Sequence, residues 1–458
     1  MPAGRGRRWK LLALSGAVGA WGLAAACAGV SDGNGDEADR VAGERPAEES
    51  IEPTDETAGV EQSAVARIDP DSPEREGGTP AAIEGTFLPA DATETPAGEP
   101  IIRETSQHFL TRLPWKTNWN IRIIDLAELI PGAPRDGIPP LSAPAFIPAA
   151  EADAIYSENS PVIQFELGED VRAYPLEIMT WHEIVNDVVG GVPVVVTFCP
   201  LCNTAIAFER TVAGTVLTFG TSGLVRNSDL VMWDRQTESL WQQIGGKALV
   251  GDMVGAELTR LPAVIVAWSQ FRENFPEGLV LSRETGFQRD YGRNPYVGYD
   301  AVDNSPFLFR GVIDERLSPF ERVATVEFGE AVVAYPFALL EQERVLEEER
   351  DGQGVVVFWV PGASSALDSL EIDQGRAVGS TGVFYREMDG AELSFLPNPA
   401  DEQTFLDTTT RSVWNVFGEA ISGPLEESRL MAKAHANHFW FAWAAFQPET
   451  EIVTRGAN

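Results

Sequence analysis

The sequence predicts an α+β chain, rich in β-structure, built as two tandem homologous subdomains behind a disordered acidic linker. Three observations predict it. A stretch of sequence recurs at a constant offset, β-branched runs dominate both copies, and residues 28–100 lack the apolar residues a core needs.

Residues 1–27 have the form of an export signal. Arg5, Arg7, Arg8 and Lys10 make a basic start, and Leu11 to Ala26 an apolar stretch ending in small residues. The ending Leu23-Ala-Ala-Ala-Cys27 resembles a bacterial lipobox, whose cysteine is lipidated and becomes the mature N-terminus, although Ala24 stands where leucine is usual. Lipidation of Cys27 is therefore expected, with the protein exported and anchored through lipid to the outer face of a membrane. An ordinary secretory signal or an uncleaved anchor would also export the chain, and Arg7-Arg8 admits a twin-arginine route. Residues 28–100 hold 19 acidic and 4 basic residues among Pro, Gly, Ser, Thr and Ala, a composition that stays unfolded and extends by self-repulsion, as suits a tether. A lead-in segment follows over 101–160, where aromatic residues become frequent.

The folded part contains the repeat. Val162-Ile-Gln-Phe-Glu-Leu-Gly-Glu-Asp-Val-Arg-Ala-Tyr-Pro175 matches Val323-Ala-Thr-Val-Glu-Phe-Gly-Glu-Ala-Val-Val-Ala-Tyr-Pro336, and the same offset of 161 gives 14 identities in 45 positions between 162–206 and 323–367. After an insertion the copies meet again at Asp234/Asp407, Ser239/Ser412, Trp241/Trp414, Gly251/Gly423, Trp268/Trp440 and Pro276/Pro448. A first repeat over 161–310 and a second over 311–458 follow. Strands are expected at Val162–Phe165, Val171–Tyr174, Val192–Phe198 and Val216–Phe219, separated by turns such as Gly168-Glu169-Asp170. Helices are expected from Pro175 through Asn186, over Trp268–Phe275 and over Trp440–Phe446.

Composition narrows the chemistry. A net charge of −35 leaves nothing to neutralise a phosphate backbone, so nucleic acid is excluded as a partner. Three cysteines and four histidines allow one small site and no disulfide scaffold. No phosphate-binding Gly-rich loop, dinucleotide fingerprint or His-Glu-x-x-His helix is present, and Ser222 and Ser228 lack a nucleophile elbow.

The repeat acts as an internal control, because a polar residue kept in one copy needs a reason other than the fold. Cys199 and Cys202 align with Val360 and Ala363, and His182 aligns with Glu343. His435 and His438 align with Ala263 and Val266. A Cys-Pro-x-Cys turn presents two thiolates to one ion, zinc or copper, with His182 and, from the other half, His435 or His438 as further ligands. The two histidines, three residues apart, would share one face of a helix. The same dithiol is open to two other readings, an extracytoplasmic thiol–disulfide redox couple or a binding or scaffold lipoprotein with a structural disulfide; the strand-like Asn203–Phe208 weakens the redox reading, since reactive thiolates favour a helix start. A Gly/Pro-rich loop without clear counterpart in the second copy collects Arg289, Asp290, Tyr291, Arg293, Asn294 and Tyr296, either as ligand-binding groups or as a strap between the halves.

Trp181-His182-Glu183-Ile184-Val185-Asn186-Asp187, Cys199-Pro200-Leu201-Cys202, Ser222-Gly-Leu-Val-Arg-Asn-Ser-Asp229, Ser239-Leu-Trp-Gln-Gln243 and Arg289-Asp-Tyr-Gly-Arg-Asn-Pro-Tyr296 together resemble the bacterial and archaeal domain-of-unknown-function family 3179, over about residues 105–455. The resemblance implies no activity, since the family has none assigned.

Overall fold

In the computed structural model, residues 86–455 are described. Cys27 and residues 28–85 of the expected tether lie outside them. Residues 86–100, assigned to the tether by composition, instead pack on the body: the Phe87 N–H donates to the Asp252 carbonyl at 2.6 Å, and Thr95 is buried in a turn closed by Glu99. Local turn bonds and a few apolar anchors order what net charge alone would leave extended.

The first half begins with the hairpin β1 (Pro161–Leu167) and β2 (Asp170–Pro175), in which Ile163 faces Tyr174. Pro175 caps helix α1 (Leu176–His182), and β3 (Ile184–Val189), β4 (Val192–Cys199) and β5 (Thr204–Glu209) make an antiparallel meander. The helix expected to run to Asn186 stops at His182, because Glu183 turns left-handed at φ 58° and the β-branched run that follows pairs as a strand. A second meander consists of β6 (Phe219–Arg226), β7 (Asp229–Asp234), β8 (Leu240–Gln242) and β9 (Ala248–Val250), and the lead-in strands Ile102–Arg103, Ile121–Arg122 and Ile130–Pro131 extend its sheet to seven. β10 (Ala263–Ala267), α2 (Trp268–Asn274) and β11 (Leu279–Leu281) return to the first hairpin, giving the order β10-β1-β2-β11, with β11 parallel to β2.

The second half repeats this order. The hairpin β12 (Arg322–Phe328) and β13 (Ala331–Pro336) pairs Ala324 with Tyr335, and leads through α3 (Phe337–Glu343) into β14 (Val345–Arg350), β15 (Gln353–Val360) and β16 (Ser380–Tyr385). The small meander β17 (Phe395–Pro397), β18 (Phe405–Asp407), β19 (Val413–Trp414) and β20 (Ala420–Ser422) follows. β21 (His435–Phe439), α4 (Trp440–Phe446) and β22 (Glu451–Ile452) close the sheet as β21-β12-β13-β22, again with the last strand parallel.

Side-chain detail repeats as well. Asp234 accepts the Thr237 N–H at 2.6 Å and the Trp241 indole N–H at 2.9 Å, while Asp407 accepts the Thr410 N–H at 2.5 Å and the Trp414 indole N–H at 3.1 Å. Ser239 and Ser412 then each accept a backbone N–H, from Met253 and Leu425. These carboxylates hold tight turns whose tryptophans fill the cores. Among the described residues no helix is long and apolar enough to cross a membrane.

Candidate functional site

β4 is apolar and buried from Val194 to Val196, and it delivers Cys199 to the interior. Pro200 begins a single 3-10 turn, Pro200–Cys202, and Asn203 ends it in the left-handed region at φ 51°, so that β5 can run back beside β4 with Thr204 opposite Cys199. Both thiols therefore project from one tight turn. They are free and almost fully buried, at 2% and 0% exposure.

A second turn meets the first. The β6–β7 hairpin pairs Arg226 with Asp229 across Asn227 and Ser228, whose φ values of 48° and 67° fit the tight primed turn that matches strand twist. This places Asp229, fully buried, against the cysteines. Its Oδ2 accepts the Gln242 side-chain N–H at 2.5 Å and the Ile244 N–H at 2.9 Å, while Oδ1 accepts the Cys202 S–H at 3.0 Å. The Cys199 S–H points to the Ser228 carbonyl at 3.6 Å. One ligand atom from each of Cys199, Cys202 and Asp229 lies within 4.8 Å of the other two, a grouping able to hold a metal ion.

The electrostatics follow from dryness. Burial pushes both thiols above their usual range, and the Asp229 charge adds to the shift. Burial also raises Asp229 to about 6, opposed by the hydrogen bond from Cys202. Glu183, at the C-terminal end of α1, is 7% exposed and is raised to about 8 by burial and then by the Asp229 charge. Neutral thiols fit this site, and thiolates fit it only beside a cation.

The histidines go elsewhere. Among the described residues none joins the Cys199–Cys202–Asp229 group. His182 is buried with Nδ1 2.7 Å from the Pro139 carbonyl and Nε2 2.6 Å from the Tyr291 hydroxyl. His435 and His438 lie on a strand rather than a helix, and residues three apart on a strand face opposite ways. His435 contacts the Lys433 carbonyl and the Thr381 hydroxyl. His438 bonds through Nδ1 to Thr204 at 2.8 Å and stacks on Trp443. It reaches the cysteine turn only through Thr204, whose hydroxyl also donates to the Cys202 carbonyl.

The tyrosine-rich loop acts as a strap. Asn294 donates from its backbone to Leu370 and from its side chain to Ser369, Gly298 donates to Asp368, and Arg293 pairs with Asp290 at its rim. Tyr291 anchors the loop to His182, Tyr296 packs against the core around the cysteines, and Arg289 bonds locally to the Gln288 carbonyl. Tyr299, in the same loop, donates its hydroxyl to the Leu201 carbonyl inside the cysteine turn.

Asp229 is the site residue that spacing alone does not single out, and Glu183 is a nearly buried acid not far from it in the fold. Both stand in motifs that drew attention for other members, Glu183 beside His182 and Asp229 at the end of the run from Ser222. In a chain with 69 acidic residues a lone carboxylate carries little signal.

A family model described as protein of unknown function, DUF3179, matches residues 135–450. No curated protein and no solved structure matches the chain. The match covers the cysteine turn, Asp229, Glu183 and most of both halves, and the chain belongs to this family of proteins of unknown function, DUF3179.

Proposed function

We propose that this is an exported, lipid-anchored protein that binds a metal ion through Cys199, Cys202 and Asp229. The observation that carries the reading is the convergence of two unbridged thiols and one oriented carboxylate in a dry pocket. Gln242 and Ile244 hold Oδ2 of Asp229 and leave Oδ1 toward the sulfurs, the kind of outer support metal ligands need. Two sulfurs with a carboxylate suit borderline zinc better than copper(I), which favours sulfur ligands alone. A redox couple is less well supported, since burial raises both thiols and leaves no ready thiolate. A scaffold role resting on a closed disulfide is also less well supported, because both S–H groups are engaged as donors.

The two halves are best explained as copies of one ancestral unit, for which the offset of 161 in sequence and the shared strand order speak together. Export and anchoring rest on the basic start, the apolar stretch and Cys27. Metal analysis of the untagged full chain tests the central claim. One equivalent of zinc is expected, and it should disappear in the Cys199→Ser/Cys202→Ser variant while the fold persists; wild-type protein that takes up no zinc refutes it. For the anchor, the mature N-terminus should be Cys27 carrying a diacylglyceryl mass.

A further inference from the structure

We infer that a cavity beside β13, in the second half, binds a small alkylguanidinium cation between Tyr335 and Glu348. This site is separate from the cysteine turn and does not depend on it. The cavity has a volume of about 360 Å³, a size suited to a small molecule, and Val333, Tyr335, Leu339, Leu346 and Glu348 are among the residues that line it. Tyr335 is 0% exposed, and its buried hydroxyl has no hydrogen-bond partner among the described residues. A buried polar atom left unpaired is costly and rare, so this one asks for a reason.

The first half shows how the same place looks when it is filled. There Tyr174, opposite Ile163 as Tyr335 is opposite Ala324, donates its hydroxyl to Asp187 at 2.6 Å. Arg172, two residues earlier on the same face of β2, donates from Nη1 to both Asp187 oxygens at 2.7 Å, and its guanidinium carbon lies 4.6 Å from the centre of the Phe146 ring. At the offset of 161, Arg172, Tyr174 and Asp187 correspond to Val333, Tyr335 and Glu348. The tyrosine and a carboxylate recur, but the guanidinium does not. Its cover is missing too: the strand Phe146–Pro148 pairs with β11 in the first half, whereas among the described residues no strand pairs beyond β22 in the second. The cavity lies beside Val333, the position that Arg172 holds in the first half.

The chemistry of the cavity suits the missing group. Its walls carry Glu343, Glu347, Glu348 and Glu451 against Arg350 and Arg455. Glu348 accepts from Arg350 through Oε1 at 2.7 Å, and its Oε2 has no partner among the described residues. Burial and then the Glu348 charge hold the Tyr335 hydroxyl protonated. A guanidinium presents N–H donors in a flat, fixed fork that a carboxylate oxygen and a phenol oxygen can accept together, and such charge-assisted bonds are stronger than neutral ones. Val333, Leu339 and Leu346 offer apolar contact to a short alkyl chain. The ligand thus supplies from solution the group that Arg172 supplies from within the chain.

Calorimetric titration of the full-length protein with n-butylguanidinium tests this, with the neutral and nearly isosteric n-butylurea as control. The guanidinium should bind with one-to-one stoichiometry, and the urea at least about ten-fold more weakly. Tyr335→Phe removes a single oxygen and should weaken binding about five-fold, and Glu348→Gln should weaken it by roughly ten- to hundred-fold. Val333→Arg places a guanidinium of the chain's own in the cavity, so it should abolish binding and raise the melting temperature. The two milder variants carry the test if Val333→Arg does not fold. No saturable binding by wild type overturns the site, and equal binding of the urea overturns the cation. Unchanged affinity in both Tyr335→Phe and Glu348→Gln, or full binding by a folded Val333→Arg protein, overturns the location.

Discussion

Replacing Glu183 by Gln should make the metal-free protein more stable at neutral and alkaline pH. The carboxyl is held at about 8 in the fold against an ordinary 4.5, so ionising it in the folded state is unfavourable. A group with a raised folded value contributes stability that is fully present below 4.5 and is lost as pH rises through about 8. At about 1.36 kcal/mol per pH unit, the accumulated cost is about 3 kcal/mol at pH 7 and about 5 kcal/mol by pH 9. Gln occupies much the same space and cannot ionise. Guanidinium titrations of chelator-treated wild type and Glu183→Gln at pH 5, 7 and 9 should therefore give a difference within about 1 kcal/mol at pH 5 that widens in favour of Gln as pH rises. A variant equally stable or less stable at pH 9 would mean that burial and the Asp229 charge do not disfavour the ionised carboxylate in the fold, and the reasoning would fall.

His182 and His435 are both held down to about 4 by burial, so each is neutral in the fold and takes up a proton on unfolding. Stability from these groups is present above 6.5 and lost as pH falls toward 4, by about 3 kcal/mol each; the loss between pH 6.5 and 4.5 should shrink in the His182→Gln/His435→Gln variant, and an unchanged acid limb would count against it. Cys199 and Cys202 should react with a thiol probe at pH 7.5 at least about a thousand-fold more slowly in the native, metal-free protein than in guanidinium, since both are buried and raised; near-equal rates would favour a redox thiol. Gly251 and Gly423, at φ 110° and 100°, would carry a Cβ 2.5 Å from the Ser239 hydroxyl and 2.7 Å from the Ser412 Cα. Alanine at either should cost about 1–3 kcal/mol, and strongly unequal losses in thermal melts would weaken the equivalence of the two turns.

Much of the fold is legible in residue pattern because the pattern is local. The hairpins at 162–175 and 323–336 alternate apolar and polar residues around a Gly-Glu turn, and α2 and α4 show aromatics at helical spacing. Where the structure departs from the pattern, two local signals compete. Pro175 marks a helix start, but nothing in Trp-His-Glu-Ile-Val announces that Glu183 will turn left-handed and release a strand. His435 and His438 stand in a run that continues into α4, but they pair as a strand before that helix begins. The site was half legible. The dithiol turn is contiguous in sequence, whereas Asp229 reaches it through a hairpin, a distance along the chain that spacing cannot bridge. Histidine stands out by scarcity, yet His182 and His435 are satisfied by the fold's own carbonyls and hydroxyls, while His438 bonds Thr204 through Nδ1 and keeps a buried Nε2 without a hydrogen-bond partner among the described residues.

The asymmetry between the halves bears on how such a site stays dry. Cys199, Leu201 and Cys202 share one apolar cluster with Leu367, Ala436, Phe439, Phe441 and Ala442, all from the second half. The strap adds Tyr299 on the Leu201 carbonyl, and Ser228 fixes it further by donating to the Phe307 carbonyl at 2.6 Å. At the equivalent turn of the second half, Val360 and Ala363 are themselves buried and apolar. The first half thus supplies the two thiols and Asp229, and the second supplies much of the apolar cover whose burial raises the thiols. A half that carried thiols without that cover would expose them to oxidation and water. One that kept the cover alone would be a plain β-core. Chemistry concentrated in one half is therefore what this architecture allows: the second half presents apolar surface where the first carries polar residues, and beneath that surface the first half's thiols stay protonated.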